Sequence, residues 1–139
     1  MSTDFATFNR NLIDQFRANA GEIREGIFKG APILLLTTKG ARSGTTYTTP
    51  LVYTRDGDRL VIIASKGGAP TNPAWFHNLV ANPVVTIEVG PEKYEANAVV
   101  TRGDERDRLF DAQATLMPNF ADYQKKTTRR IPVVVLERA

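Results

Sequence analysis

The sequence predicts an α+β domain of about six mainly antiparallel strands with three or four helices. Three observations carry this. Apolar residues recur at helical spacing near the N-terminus. Short Thr-, Val- and Ile-rich runs are separated by turns containing Gly or Pro, and helical stretches are set between those runs. With 139 residues, 42% hydrophobic and 24% charged, the chain is expected to form one domain, residues 1–139, around a core of its own.

Phe5, Phe8, Leu12 and Phe16 follow each other at spacings of three and four, with Asp4, Arg10, Asp14 and Arg17 elsewhere on the wheel, so an amphipathic helix is expected over 4–20, stopped by Gly21. Its Phe-rich stripe covers one end of a sheet in one reading and lies on a membrane or partner in the other. Pro32 opens the run Ile33 to Thr38, which is short enough for a strand and apolar enough to be buried on both faces. The loop Lys39 to Gly44 follows, then a strand from Thr46 to Thr54. A hairpin turn over Arg55-Asp56-Gly57-Asp58 leads to Leu60–Ala64, giving three strands in an antiparallel meander. After a second Gly loop, Ser65 to Thr71, Asn72 as N-cap and Pro73 at the first helical position start a short helix that runs to about Ala81. Phe76, Leu79 and Val80 form its expected buried stripe, with Trp75 beside it. Val84–Val89 and Tyr94–Thr101 form another hairpin about a turn at Gly90 to Lys93. A charged helix from Gly103 carries Leu109, Phe110 and Leu116 and stops at Pro118, Phe120 to Tyr123 adds a helical turn, and Ile131–Leu136 closes the sheet.

Eighteen Lys and Arg against fifteen Asp and Glu leave a net charge of +3, with the two signs interspersed. Disorder, a collagen-like repeat and a spanning membrane protein are excluded. Without cysteine there is no disulfide, thiolate metal site or Cys nucleophile, and His77, the single histidine, makes neither a metal site nor a spare triad. The start Met-Ser-Thr-Asp-Phe lacks a basic region followed by an apolar one, so a cytoplasmic location is expected. The chemistry is expected to belong to a bound cofactor.

Three segments could hold one. Lys39 to Thr46 combines two cations, two glycines and three hydroxyls in a hairpin loop, a cradle for an anion or a solvated turn; it lacks the spacing and the following helix of a nucleotide phosphate loop. Ser65-Lys66-Gly67-Gly68 repeats this chemistry before a helix N-terminus, and two such loops leaving neighbouring strands could face one polyanionic ligand. Trp75 is either a ring-stacking wall or a core aromatic. Phe120 and Tyr123, three apart after Pro118, form either a flap over a flat substrate or an aromatic cluster under a loop. The Lys125, Lys126, Arg129 and Arg130 run reads as a solvated charge cluster, and the modest net charge argues against nucleic-acid binding.

Taken in order, Leu35-Leu36-Thr37-Thr38 with Gly40-Ala41-Arg42-Ser43-Gly44, Pro50-Leu51, Ala64 to Ala69, Asn72-Pro73-Ala74-Trp75 with Asn78-Leu79 and Asn82-Pro83, and Asp122-Tyr123-Gln124 before Arg130 to Val133 resemble the deazaflavin-dependent nitroreductase family, small actinobacterial proteins that use coenzyme F420 in a split β-barrel. The resemblance spans nearly the whole chain. It implies that Arg42, Ser43 and Gly44 hold the cofactor's phosphate and acidic tail, with Lys66 as a second cation. It also implies that Pro50, Leu51 and Val52 line the deazaflavin, that Ala64 and Ser65 lie along it, and that Ala74, Trp75, Phe76 and Asn78 supply helix-start amides and a wall. Reduced F420 would then pass a hydride to a flat hydrophobic electrophile, a small-molecule quinone, conjugated enone or lactone, or nitroaromatic, with a proton from Tyr123 or water. Two departures fall on the substrate side: Tyr47 stands where relatives carry a second cation, and Phe120 where they carry a tyrosine, so a hydrogen-bond donor for a nitro group is missing and quinones or enones are favoured. An FMN-dependent split-barrel oxidoreductase and a non-catalytic F420-binding protein stay open as alternatives. A homodimer follows by analogy of fold, and the N-terminal stripe would serve a peripheral membrane contact.

Overall fold

The computed structural model describes residues 5–139, with side chains from residue 7 onward. Helix α1 runs over Phe5–Ala18; Asp4 and the Phe5 side chain lie outside the described residues. The chain leaves it through Ala20 and Gly21, both at positive φ. Leu12 and Phe16 are buried against Ile23, Ile33 and Leu35, with Phe8 and Val52 at the edge of the cluster. The stripe therefore covers the sheet, and Leu12 and Phe16 are not available to a bilayer. On the flank of the helix Arg17 donates from Nε and Nη2 to the two carboxylate oxygens of Glu88, at 3.1 and 2.9 Å. Among the described residues no helix is long and apolar enough to cross a membrane.

Seven strands, β1 Ile33–Lys39, β2 Thr46–Val52, β3 Thr54–Asp56, β4 Arg59–Ile63, β5 Val84–Val89, β6 Glu92–Val100 and β7 Val133–Arg138, form one antiparallel sheet in the order β2-β1-β5-β6-β7-β4-β3. The count exceeds the expected six because the strand expected over Thr46 to Thr54 breaks at Tyr53. β2 pairs with β1 from Ile33↔Val52 to Lys39↔Thr46, whereas β3 pairs with β4 from Thr54↔Val61 to Asp56↔Arg59. At the break the Tyr53 amide donates to Pro32 O, just outside β1, at 3.1 Å. The expected three-strand meander is thus two separate hairpins. β2 and β3 stand at opposite ends of the strand order yet are joined through one residue, so the sheet has to curl until its ends meet. That is the split barrel the resemblance implied.

Alternation along the strands sorts the apolar side chains into two environments. Leu34, Leu36, Leu60, Ile62, Val134 and Leu136 fill the interior. Their neighbours point outward, Ile33 and Leu35 under α1, and Val61, Ile63, Val133 and Val135 under α3 (Gly103–Leu116) and α4 (Asn119–Lys125). Burial of β1 on both faces is as expected from its unbroken apolar run. Leu116, expected to pack, is 71% exposed at the last residue of α3. Arg106, buried beneath α3, donates from Nε and Nη2 to Ile131 O and from Nη2 to Gln124 Oε1, tying both helices to the start of β7.

Helix α2, Ala74–Ala81, closes one end of the barrel. Trp75 and Leu79, one turn apart, enter the interior cluster, while Val80, expected in the buried stripe, is 55% exposed and Phe76 only partly covered. Asn72 is not the N-cap. Pro73 occupies that position, and the Asn72 Oδ1 instead accepts a hydrogen bond from Arg129 Nη1 at 2.8 Å, which draws the side chain away from the helix end.

Candidate functional site

Four antiparallel pairings, β1–β5–β6–β7–β4, separate β1 from β4, so the two strands run in the same direction and leave the same end of the barrel. The loop 40–45, the loop 64–73 and α2 gather there.

In the first loop three of the six amides are consumed internally. Gly40 N donates to Thr45 O at 2.7 Å, Gly44 N to Gly40 O at 3.2 Å, and Thr45 N to Ser43 Oγ at 3.2 Å. The loop folds so tightly over Gly40 that a Cβ there would lie 2.7 Å from Ser43 Oγ and 3.1 Å from Thr45 O. Ala41 N donates to Asn78 Oδ1 at 3.1 Å, and Asn78 Nδ2 donates to Thr38 Oγ1 at 3.2 Å, so one α2 side chain clips the loop to the end of β1. Asn82 Nδ2 adds a bond to Lys39 O at 3.3 Å. What remains unspent among the described residues is the pair of adjacent amides of Arg42 and Ser43 and the Arg42 guanidinium, which has no carboxylate partner while Arg17, Arg59, Arg108, Arg130 and Arg138 all have one. These unspent donors are the chemistry a phosphate or carboxylate requires.

They open on a cleft of about 640 Å³. Thr38, Tyr47 and Thr49 of β1 and β2 form one wall, and Ala74, Trp75, His77 and Asn78 of α2 the other. Trp75 is buried in the interior cluster on one side and lines the cleft on the other. A flat ring with an anionic tail suits a slot with an aromatic wall and unspent donors at its rim.

The second loop passes through three residues at positive φ, Lys66 at 47°, Gly67 at 64° and Gly68 at 84°. Gly68 lies against α4, where a Cβ would come within 2.8 Å of Tyr123 O. Lys66 is exposed, its Nζ donating to Thr71 Oγ1 at 3.3 Å. No residue of this loop before Ala74 lines the cleft; the loop reaches it only through the start of α2. Arg129, expected in a solvated charge run, is half-buried beneath it, donating to Ala64 O, Ser65 O, Ala69 O and Asn72 Oδ1 at 2.8–3.2 Å. Burial pushes its pKa down from the ordinary guanidinium value. The rest of the run, Lys125, Lys126 and Arg130, is exposed as expected, with Arg130 paired with Asp107.

A family model for the F420H(2)-dependent quinone reductase matches residues 8–138. The chain belongs to that family. A relative named as an F420H(2)-dependent quinone reductase of Mycobacterium tuberculosis is 44% identical over 126 residues, covering 88% of this chain and 85% of the relative. Among solved structures, an F420-H2 dependent reductase, FDR-A, superposes with a TM-score of 0.70 at 37% identity over 76% of this chain and 94% of its own. A domain-swapped dimer superposes with a TM-score of 0.73 at 32% identity, covering 92% of this chain and 96% of that one. The family bears out both the resemblance carried by the motifs and the split barrel.

Of the site residues the resemblance implied, the fold gathers Arg42, Ser43, Ala74, Trp75 and Asn78 around the cleft, with Gly44 in the same loop. Others stand apart. Pro50 and Val52 share the outward face of β2, Pro50 opposite Leu35 and Val52 in the α1 cluster, while Leu51 and Phe76 pack on the interior and Ala64 and Ser65 are buried. Phe120 is core, edge-on to Tyr123 at 5.5 Å and packed with the outward side chains of β4 and β7. The Tyr123 hydroxyl accepts from Asn119 Nδ2 at 3.0 Å, and neither ring lines the cleft, so α4 is a packed element rather than a free flap. Sequence reasoning missed Thr38, Thr49 and His77 as cleft residues, whereas Tyr47, noted as a departure on the substrate side, does line the cleft. Strand alternation was the available signal, since cross-strand partners Thr38 and Tyr47 share a face with Thr49.

Proposed function

We propose that this protein, acting with residues 1–139 as one domain, is an F420H2-dependent reductase of quinones and related flat electrophiles. The observation that carries the reading is the unspent donor set of Arg42 and Ser43 opening on an aromatic-walled cleft. When bound, reduced F420 supplies the hydride; the protein's part is binding, orientation and proton supply. Arg42, with the amides of Arg42 and Ser43 and the turn at Gly44, holds the anionic part of the cofactor, and Lys66 adds a second cation from the neighbouring loop. Trp75 and the first turn of α2 at Ala74 confine the ring and Asn78 holds the cradle in shape, while Pro50, Leu51, Val52, Ala64, Ser65 and Phe76 stand away from the cleft and support it only through packing. The proton comes from water, since the Tyr123 hydroxyl does not line the cleft. With no tyrosine hydroxyl from α4 lining the cleft, quinones and conjugated enones or lactones are better acceptors than nitroaromatics. The setting is cytoplasmic, and two copies pair, in keeping with a relative that crystallised as a domain-swapped dimer. A peripheral membrane contact through α1 would have to use residues other than Leu12 and Phe16.

A fluorescence titration with F420, run beside one with FMN and followed by oxidation of F420H2 by a quinone, a conjugated lactone and a nitroaromatic, tests this. F420 binding with fastest turnover of the quinone or lactone is expected. Binding of FMN alone, or of F420 without turnover by any acceptor, would overturn the reading. Arg42→Ala is expected to weaken F420 affinity by about 1–3 kcal/mol, the worth of charge-assisted contacts.

A further inference from the structure

Lys66 is a non-glycine residue at a φ of 47°, followed by two glycines also in the left-handed region. A lysine gains nothing from that conformation, and it persists only where its surroundings impose it. Two backbone bonds, Gly68 N to Ser65 O at 2.9 Å and Ala69 N to Lys66 O at 3.1 Å, close the turn, and one guanidinium ties it to the rest of the loop. Arg129 donates from Nε to Ala69 O at 2.9 Å, from Nη1 to Ala64 O at 3.2 Å and Asn72 Oδ1 at 2.8 Å, and from Nη2 to Ser65 O at 2.8 Å. Four of its five N–H groups are spent, and their acceptors span the loop from the last residue before it to the residue that precedes Pro73. With the carbonyls of Ser65 and Ala69 turned inward, the amides of Lys66 and Gly67 keep no partner among the described residues, and the Lys66 side chain is exposed. Arg129 itself has no carboxylate partner among the described residues, and it comes from the segment between α4 and β7, outside both anion loops.

We propose that Arg129 is a positioning residue for cofactor binding, holding the loop 64–72 in the one conformation that presents Lys66 and its neighbouring amides to the anionic tail. This rests on the F420 reading above. Arg129 touches no ligand in this scheme. Its contribution reaches the cofactor only through Lys66 and the loop, and a lysine at 129 would keep the charge but not the planar fork that meets acceptors in several directions.

The test is a double-mutant cycle read as F420 affinity by fluorescence on the full-length protein, accompanied by amide 15N relaxation of Lys66, Gly67 and Gly68 without ligand. Arg129→Lys is expected to weaken F420 binding about tenfold, as is Lys66→Gln, and the double variant is expected to bind no more weakly than either single one. The three amides are expected to lose order in Arg129→Lys. Arg130→Gln, which removes a charge next door, is expected to leave affinity unchanged. Additive effects in the double variant, or a loop as ordered and F420 binding as tight in Arg129→Lys as in the parent, would overturn the proposal while leaving the F420 reading intact; a lowered melting temperature with unchanged affinity would reduce Arg129 to a structural role. A parent protein that does not bind F420 at all would overturn both.

Discussion

Asn78 divides its amide between two partners, accepting from Ala41 N and donating to Thr38 Oγ1. One acceptor site and one N–H are thereby spent on the scaffold, and the residue governs the site by shaping it. Asn78→Ala is expected to lose about 1–2 kcal/mol of stability, measured by urea unfolding, because it removes two partly screened hydrogen bonds. The same reasoning marks what was legible at this scale. Arg42 and Ser43 could be named because their chemistry suits an anion by residue type alone. Asn78 could be placed at the site but not given its task, since its partners lie on β1 and in the following loop, far away in the sequence. Arg129 could not be found at all: within a run of lysines and arginines nothing distinguishes the residue whose carbonyl partners were decided by the packing of a loop more than fifty positions earlier.

At the scale of elements, the β3–β4 hairpin and α3 are joined through Asp56. Its oxygens accept from Arg108 Nη1 and Nη2 at 3.1 and 3.2 Å and from Arg59, which also reaches Glu105. Hydrogen bonds from Arg108 first and Arg59 second lower the Asp56 pKa from 3.8 to about 2. A carboxyl with a folded-state pKa below its unfolded value contributes stability that is fully present above the unfolded pKa and disappears as the pH falls from 3.8 towards about 2. Asp56→Asn is therefore expected to lower the melting temperature modestly at neutral pH, with the gap to the parent protein closing as melts are repeated down to about pH 2. The turn of this hairpin was legible because Asp-Gly between β-formers specifies it. The break at Tyr53 was not, because Thr46 to Thr54 reads as one Thr-, Tyr- and Val-rich run and the change of partner is dictated by where β1 begins, at Ile33↔Val52.

For the molecule as a whole, the periodicities gave the helices and strands, but the order of strands depended on non-local pairing that no local pattern encodes. The role of α1 follows from that order. It lies over Ile33 and Leu35 on the outward face of β1, so Phe16→Ala is expected to cost about 3–5 kcal/mol in urea unfolding, and a chain lacking residues 1–20 is expected to aggregate through the uncovered face rather than remain a folded protein freed from membranes. Light scattering and flotation with lipid vesicles would separate those two outcomes. The junction at Tyr53 bears on how the barrel is made in time. β1–β2 and β3–β4 each close over short loops, whereas uniting the two hairpins requires β4 to meet β7, Leu60 opposite Leu136, after most of the chain has been synthesised. The hairpins can form early and cheaply, but the ring can be sealed only when the C-terminal strand arrives, so the slow step of folding is expected to be the capture of β7, and substitutions at Val133 to Leu136 are expected to slow refolding more than equally destabilising ones at Gly57 or Asp58.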